Sequence, residues 1–242
     1  MLSFIVPAYN EEPLIGRTLE AVDDAGAALE RPFEVVVADD ASTDRTAAIA
    51  REHGARVVSV RHRQIAATRN AGARLASGDM FIFVDADTIV TRAAVRAAVE
   101  AMEAGAAGGG CLLRFDGEVP MLGRVIERVF VPLCRVFRLA SGCFVFCTRQ
   151  AFQAAGGFDE KMFAAEEYAM SQALRRQGRF VVLRDRVTTS GRRFRSYSGR
   201  ELVGLMARLM LSGRWAVRQR QKVNMWYGER RPDPGANASV AI

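Results

Sequence analysis

Met80-Phe81-Ile82-Phe83-Val84-Asp85-Ala86-Asp87 is an unbroken apolar run that stops at two carboxylates. Apolarity without alternation reads as a strand covered on both faces, as in a parallel sheet, and the preceding Ser77-Gly78-Asp79 are turn formers. Working outward, Gln64 to Ala76 reads as a helix before this strand. Thr91 to Ala104, stopped by Gly105, reads as a helix after it. Leu2–Val6, Phe33–Ala38 and Arg56–Val60 are further short apolar runs. Between them lie helical stretches from about Pro13 to Glu30 and from a cap at Ser42-Thr43-Asp44 to about His53. This alternation predicts a Rossmann-like α/β domain whose central sheet is mostly parallel (mixed) and flanked by helices. Ligands in such sheets bind beyond the carboxyl ends of the strands.

The second half is less regular. A strand is expected within Ala106–Phe115 after Gly108-Gly109-Gly110, and an amphipathic helix over Pro120–Leu139. Strands at Cys143–Cys147 and Phe180–Leu183 bracket a helix at Glu166–Gln177, and Phe152–Ala154 leads into Gly156-Gly157-Phe158-Asp159. A long basic amphipathic helix is expected from Glu201 to about Arg220, followed by a Pro/Gly/Ala tail. The domain reading is one α/β domain over 1–200, with a nucleotide-binding half over about 1–105 and an acceptor half over about 106–200. An amphipathic helical extension over 201–231 and a flexible tail over 232–242 complete it.

Three polar clusters end predicted strands: Tyr9-Asn10-Glu11, Asp39-Asp40 and Asp85-Ala86-Asp87. At a common sheet edge they make a site that no one of them makes alone. Two carboxylates flanking a small residue can share one hard cation, Mg2+ or Mn2+, with a diphosphate. The plainer reading of Asp87 is a residue near a helix start. Asp39 or Asp40 can accept hydrogen bonds from a nucleobase N–H or ribose hydroxyls. Ser42 or Asp44 as a helix cap accounts for neither of those two aspartates.

In order and spacing, Val6-Pro7-Ala8-Tyr9-Asn10-Glu11-Glu12, Asp39-Asp40-Ala41-Ser42-Thr43-Asp44, Thr68-Arg69-Asn70-Ala71-Gly72 and Asp85-Ala86-Asp87 resemble the motifs of family 2 glycosyltransferases. Gly156-Gly157-Phe158-Asp159-Glu160 and Glu166-Glu167 extend the match, which covers roughly residues 2–190. The resemblance implies the GT-A fold, a nucleotide-diphosphate sugar donor, a divalent metal and transfer with inversion at the anomeric carbon. It implies that Pro7, Ala8, Tyr9 and Glu11 line the nucleoside pocket, that Asp39 or Asp40, with Asp40 preferred, meets the base, and that Arg69 faces the diphosphate. Asp85 would sit near ribose or metal and Asp87 would ligate the metal. The family shows Glu-Asp where this chain has Glu166-Glu167, so the general base falls on Glu167, one methylene longer, or on Glu166.

Charge narrows the partners. The net charge is +7, yet Arg175 to Arg231 carries 16 basic and 3 acidic residues, so the rest is acidic on balance. The cations are almost all arginine, which suits bidentate phosphate recognition. Thr188-Thr189-Ser190-Gly191-Arg192-Arg193 with Arg195 reads either as a loop that closes on donor phosphates or as an ordinary basic loop. The extension over 201–231 reads either as a helix packed on the domain or as a contact with an anionic membrane surface. No nucleic-acid motif accompanies the charge, so no nucleic acid is expected. The acceptor class (sugar, polysaccharide or lipid-linked) stays open. Four cysteines without a metal or disulfide spacing suit a reducing, cytoplasmic setting, peripherally at the inner membrane face. No apolar run spans a bilayer: Arg135 and Arg138 interrupt Val129–Phe146. Two rival readings are a degenerate domain acting as a scaffold and a sugar nucleotidyltransferase. The second lacks the glycine-rich, lysine-bearing loop after the first strand, and a dehydrogenase lacks G-x-G-x-x-G there.

Overall fold

The computed structural model describes residues 1–202, 204, 217–223, 227, 231 and 233. Its strands are β1 (Leu2–Ala8), β2 (Phe33–Asp39), β3 (Arg56–Ser59), β4 (Met80–Val84), β5 (Thr88–Ile89), β6 (Ala106–Phe115), β7 (Phe144–Thr148) and β8 (Arg179–Thr189). Its helices are α1 (Ile15–Ala27), α2 (Thr46–Glu52), α3 (Ile65–Leu75), α4 (Arg92–Glu103), α5 (Met121–Val125), α6 (Val131–Val136), α7 (Arg149–Ala155), α8 (Glu166–Gln177) and α9 (Arg192–Ser196). A π turn over Ile126–Phe130 joins α5 to α6 into one rod. The strands form one sheet in the order β3-β2-β1-β4-β7-β6-β8-β5. β3, β2, β1 and β4 run parallel, and β7 enters antiparallel between β4 and β6.

The apolar strands serve two cores at once. Leu2, Phe4 and Val6 of β1, with Ile82 and Val84 of β4, face Ile15, Leu19 and Val22 of α1 and Val95 and Val99 of α4. Ile5, Phe81 and Phe83 face the other way, onto Ala66 and Ala73 of α3, Phe152 and Phe158, and Met170 and Leu174 of α8. Alternate side chains leave opposite faces of a strand, so a sheet covered twice needs apolar residues at every position. The mixed sheet flanked by helices is the architecture that the sequence predicts.

Several elements differ from the sequence reading: β5 was not expected, Arg192–Ser196 form a helix where a loop was expected, and a π turn interrupts the helix expected over Pro120–Leu139. Residues 149–155 form α7, capped where Thr148 Oγ1 accepts from Ala151 N at 3.1 Å and closed by Gly156 at φ +80°. The strand expected at Phe180–Leu183 runs on to Thr189, because its second part is a half-exposed strand with alternating burial and not an apolar run. Thr188 and Thr189 therefore belong to a strand that pairs with β5, and the loop starts after them. The helix expected over 201–220 and the tail over 232–242 fall mostly outside the described residues.

β6 owes its glycines to close packing. A Cβ on Gly109 would lie 1.9 Å from the carbonyl oxygen of Val181 and 2.5 Å from the Phe146 ring. Overfilling a packed interior typically costs about 1–3 kcal/mol. Gly109→Ala is therefore expected to lose at least that in urea unfolding, while Gly105→Ala, where a Cβ meets nothing within 4 Å, pays only for its φ of +82°. Equal losses at the two positions would contradict the packing argument.

Candidate functional site

The parallel register aligns the strand ends. Ala8 of β1 pairs with Asp39 of β2, and Ile5 pairs with Phe83 of β4, so residues 7–11, 39–40 and 85–87 leave the sheet at one edge. The first two turns are then bonded together. Asn10 N donates to Ser42 Oγ at 2.9 Å, Glu11 N to Thr46 Oγ1 at 2.7 Å, and Glu12 N to Asp44 Oδ2 at 3.1 Å. Asn10 Oδ1 accepts from Thr43 N at 2.8 Å. Ser42, Thr43 and Asp44 thus hold the first turn against the second; α2 itself starts from Arg45 without a side-chain cap, and of the three only Asp44 reaches it, its Oδ1 accepting from Thr46 N at 3.0 Å.

A cavity opens at this edge. Pro7, Ala8, Tyr9, Glu11, Asp40, Asp85 and Asp87 line it together with Arg63, Arg192, Arg193, Tyr227 and Arg231. The Arg63 guanidinium lies 3.5 Å from the centre of the Tyr9 ring, so a flat cation already stacks on this aromatic.

The two neighbouring aspartates have different surroundings. Asp40 Oδ1 accepts from the backbone N–H groups of His62 and Arg63 at 2.7 and 2.8 Å. Its Oδ2 accepts from Gln64 N at 3.0 Å and Thr68 Oγ1 at 2.8 Å. It is a carboxylate at the N-terminus of α3, where orphan donors and the helix dipole favour it. Asp39 is equally buried, and its Oδ1 has no hydrogen-bond partner among the described residues. The sequence reading preferred Asp40 for the base; the structure commits both of its oxygens to the chain's own donors.

α3 distributes the Thr68-Arg69-Asn70-Ala71-Gly72 motif in several directions. Thr68 bonds Asp40. Asn70 Oδ1 accepts from Phe158 N at 2.9 Å and its Nδ2 donates to Phe158 O at 2.9 Å, which fixes the Gly156-Gly157-Phe158 turn. Gly72 packs on Ile5, where a Cβ would fall 2.6 Å from Cγ2. Arg69 is 1% exposed and does not reach the cavity wall, although the sequence reading had it facing the diphosphate. Its Nη2 donates to Asp85 Oδ1 at 2.7 Å and to Gly142 O at 2.8 Å, and its Nη1 to Glu166 Oε1 at 2.8 Å. The acids hold the guanidinium's pKa above its ordinary value despite burial.

Of the cations that do reach the cavity, Arg192 and Arg193 come from α9. Arg192 Nη2 donates to Glu11 Oε1 at 2.6 Å and to Asp87 Oδ2 at 3.0 Å. Asp87 Oδ1 also lies 3.5 Å from Thr189 Oγ1. The sequence marked Arg192 and Arg193 as suited to an anion; that Arg192 bridges the first and last acidic turns is a three-dimensional fact with no local signal. Tyr227 and Arg231, brought back to the cavity from beyond residue 220, were not anticipated either.

Asp85 and Asp87 fit a shared divalent cation. Among the described residues no group of three His, Cys, Asp or Glu side chains is arranged to hold a metal ion by itself. Two carboxylates facing a cavity suit a hard ion that takes its other oxygens from a diphosphate and water. Burial raises the pKa of Asp85, the Arg69 charge opposes it, and the neighbouring charge of Asp87 adds to it.

Glu166 and Glu167 open α8. Glu166 is buried against Arg69. The Glu167 carboxyl lies over Gly142, whose Cβ, if present, would be 3.3 Å from Glu167 Cδ. Burial first, and the charge of Glu166 second, push Glu167 up to about 8.

A sequence profile described as Glycosyl transferase family 2 matches residues 3–153. Validoxylamine A glucosyltransferase of Streptomyces hygroscopicus subsp. jinggangensis is 37% identical over 130 residues, which cover 50% of this chain and 30% of that one. Undecaprenyl-phosphate 4-deoxy-4-formamido-L-arabinose transferase of Pseudomonas aeruginosa is 37% identical over 94 residues, 36% of this chain and 28% of the other. The matched region thus spans less than a third of the length of these curated relatives. Among solved structures, the mannosyltransferase PcManGT from Pyrobaculum calidifontis, in complex with GDP-Man and Mn2+, superposes with a TM-score of 0.67 at 20% identity, over 98% of this chain and 68% of that one. S. aureus TarS 1-349 gives 0.60 at 21% identity, over 88% and 65%. At these identities the structural likeness is one of fold.

Removing the cation from a buried pair leaves uncompensated charge and typically costs about 3–5 kcal/mol. Arg69→Met is expected to lose that much in denaturant unfolding, and adding Asp85→Asn and Glu166→Gln should recover part of it. A loss under about 1 kcal/mol, or no recovery, would contradict a stabilising role for this pairing.

Proposed function

The chain belongs to glycosyl transferase family 2, and from that premise we propose that it transfers a sugar from a nucleotide-diphosphate sugar to an acceptor hydroxyl, with Mg2+ or Mn2+ at Asp85 and Asp87 and inversion at the anomeric carbon. The observation that carries this reading is the meeting of residues 7–11, 40 and 85–87 around one cavity faced by Arg192 and Arg193. Carboxylates and arginines lining the same cavity suit a cation–diphosphate pair, which presents both signs. The relatives' names describe sugar transfer, and PcManGT carries GDP-Man and Mn2+, which supports the same donor class and metal here.

Within this reading Pro7, Ala8, Tyr9 and Glu11 hold the nucleoside. Asp39 or Asp40 meets the base: Asp40 lines the cavity while also holding residues 62–64, and Asp39, whose Oδ1 has no hydrogen-bond partner among the described residues, stands outside the cavity lining. Arg192 and Arg193 meet the phosphates. Arg69 acts behind them, fixing Asp85 and Glu166. When bound, the divalent ion would neutralise charge that gathers on the departing nucleoside diphosphate. Glu167 takes the acceptor's proton, and its raised pKa matches a base that must ionise near neutral pH. Inversion needs one displacement and no protein nucleophile. Residues 1–200 would be the catalytic domain, divided near 105 between donor and acceptor halves, with 201–231 as its extension. Unbridged cysteines suit a reducing, cytoplasmic compartment.

Titration calorimetry with UDP, GDP and dTDP is expected to give heat with one of them, dependent on Mn2+ and at least tenfold weaker in Asp87→Ala. No heat with any nucleotide ends the proposal. Glu167→Gln is expected to keep nucleotide affinity and lose about 10²–10⁴-fold in turnover. An acid with a pKa near 8 is mostly protonated below that pH and must lose its proton to act as a base. Turnover should therefore climb about tenfold per pH unit up to about 8 and then level off. A profile already flat from pH 6, in a chain that binds nucleotide, would remove Glu167 from the base role.

A further inference from the structure

The rod formed by α5, the π turn and α6 has an uncovered apolar side. Met121 is 76% exposed, Val129 55%, Val136 73% and Phe137 61%, and Val125 and Leu133 lie exposed between them. These residues recur about every four positions, so they form one row along the rod. The opposite side is anchored: Gly123 packs on Val119, Val131 is buried, and Glu127 turns inward to accept from Phe115 N at 3.2 Å. Arg124, Arg128, Arg135 and Arg138 are exposed along the same stretch. Glu127 is the sole acid between Met121 and Arg138, so the outer surface is apolar and cationic with no acid to offset it.

We propose that this surface docks on an anionic lipid bilayer, the rod lying in the interface with its apolar row inserted and its arginines at the headgroups. Isolated exposed apolar residues are ordinary on soluble proteins, whereas a continuous row framed by arginines matches both parts of a bilayer surface. The rod is too short to cross: among the described residues no helix is long and apolar enough to do so. Charge complementarity selects anionic lipid over a neutral partner.

The buried end of the rod leads to the proposed base. Leu139 N closes the rod on Cys134 O at 2.7 Å, and Ala140 N donates to Ser171 Oγ, which donates to the carbonyl oxygen of Glu167 at 2.7 Å. Tyr168, next to Glu167, is 49% exposed. Resting on the transfer reading, docking there would hold the chain around Glu167 near the bilayer, which suits an acceptor carried on a membrane lipid. The rod lies in residues 121–136, apart from the extension at 201–231 for which the sequence raised membrane contact.

Co-sedimentation of the full chain with phosphatidylcholine vesicles, with and without phosphatidylglycerol, tests the docking. The expected result is binding to anionic vesicles only, weakened at high salt. Val125→Glu with Val136→Glu should reduce it at least tenfold, while melting temperature and calorimetric nucleotide affinity stay unchanged. Arg128→Gln with Arg135→Gln should weaken it less and flatten the salt dependence. No binding of the intact chain to anionic vesicles, or binding that survives Val125→Glu with Val136→Glu, overturns the proposal. So does a dimer in sedimentation velocity that those two substitutions convert to monomer, since the row would then be a contact between copies. Nucleotide affinity is measured on the same samples, so a chain that binds nucleotide but not vesicles rejects docking alone, and one that binds vesicles but no nucleotide rejects the transfer reading alone.

Discussion

A single buried cation holds the two halves of the site in register. Arg69 projects from α3 beneath the cavity floor and spends its fixed fork on Asp85 at the end of β4, on Glu166 at the start of α8, and on the carbonyl of Gly142. Each of these belongs to a different part of the chain, and none can shift without exposing charge to an apolar interior. The Phe158 ring lies 5.2 Å from the guanidinium carbon, so even the remaining face of the cation is occupied. Lysine could not replace it, since one ammonium does not present two planar pairs of donors. The distance between the carboxylates at residues 85 and 87 and the carboxyl of Glu167 is in this way set by a group that meets no ligand.

This arrangement explains what the sequence disclosed and what it withheld. The parallel half was legible because burial on both faces forces unbroken apolar strands, and because each polar cluster falls where such a strand ends. Glycine and the small residues of α3 were visible as a motif, but their separate targets were not. Asp40 and Asp39 look alike in one dimension. Only the arrival of the backbone N–H groups of residues 62–64 separates a satisfied carboxylate from one with an oxygen to spare. The family resemblance implies that Arg69 faces a diphosphate; in space the nearer anions are carboxylates of its own chain. β8 was read short because a half-exposed strand carries polar residues at alternate positions, which resembles a loop.

The cavity is electrostatically complete before any ligand enters. Arg192 lies between Glu11 and Asp87, and burial does not depress its pKa because both acids hold the charge in place. On the proposed reading, a ligand carrying a cation and a diphosphate would bring each partner its replacement: Asp87 would exchange an arginine for a metal ion, and Arg192 would exchange carboxylates for phosphate. Neither sign would then be left bare, so desolvation, the usual obstacle to charged sites in low dielectric, would be met by substitution.

The two faces of the segment around residues 121–142 then differ. Inward, Gly142 leaves room for the carboxyl of Glu167, and the chain around it is pinned through Ser171 and Arg69. Outward, the rod from Met121 to Val136 presents apolar and cationic side chains to whatever lies beyond. A base with a raised pKa needs a dry surrounding, and an acceptor arriving from water would bring its hydration with it. A surface that excludes water by resting on lipid would supply an acceptor from an apolar phase and keep Glu167 poorly solvated by one and the same contact. The exposed row and the perturbed carboxyl, separate observations on opposite sides of residues 137–142, are in that sense two ends of one physical requirement.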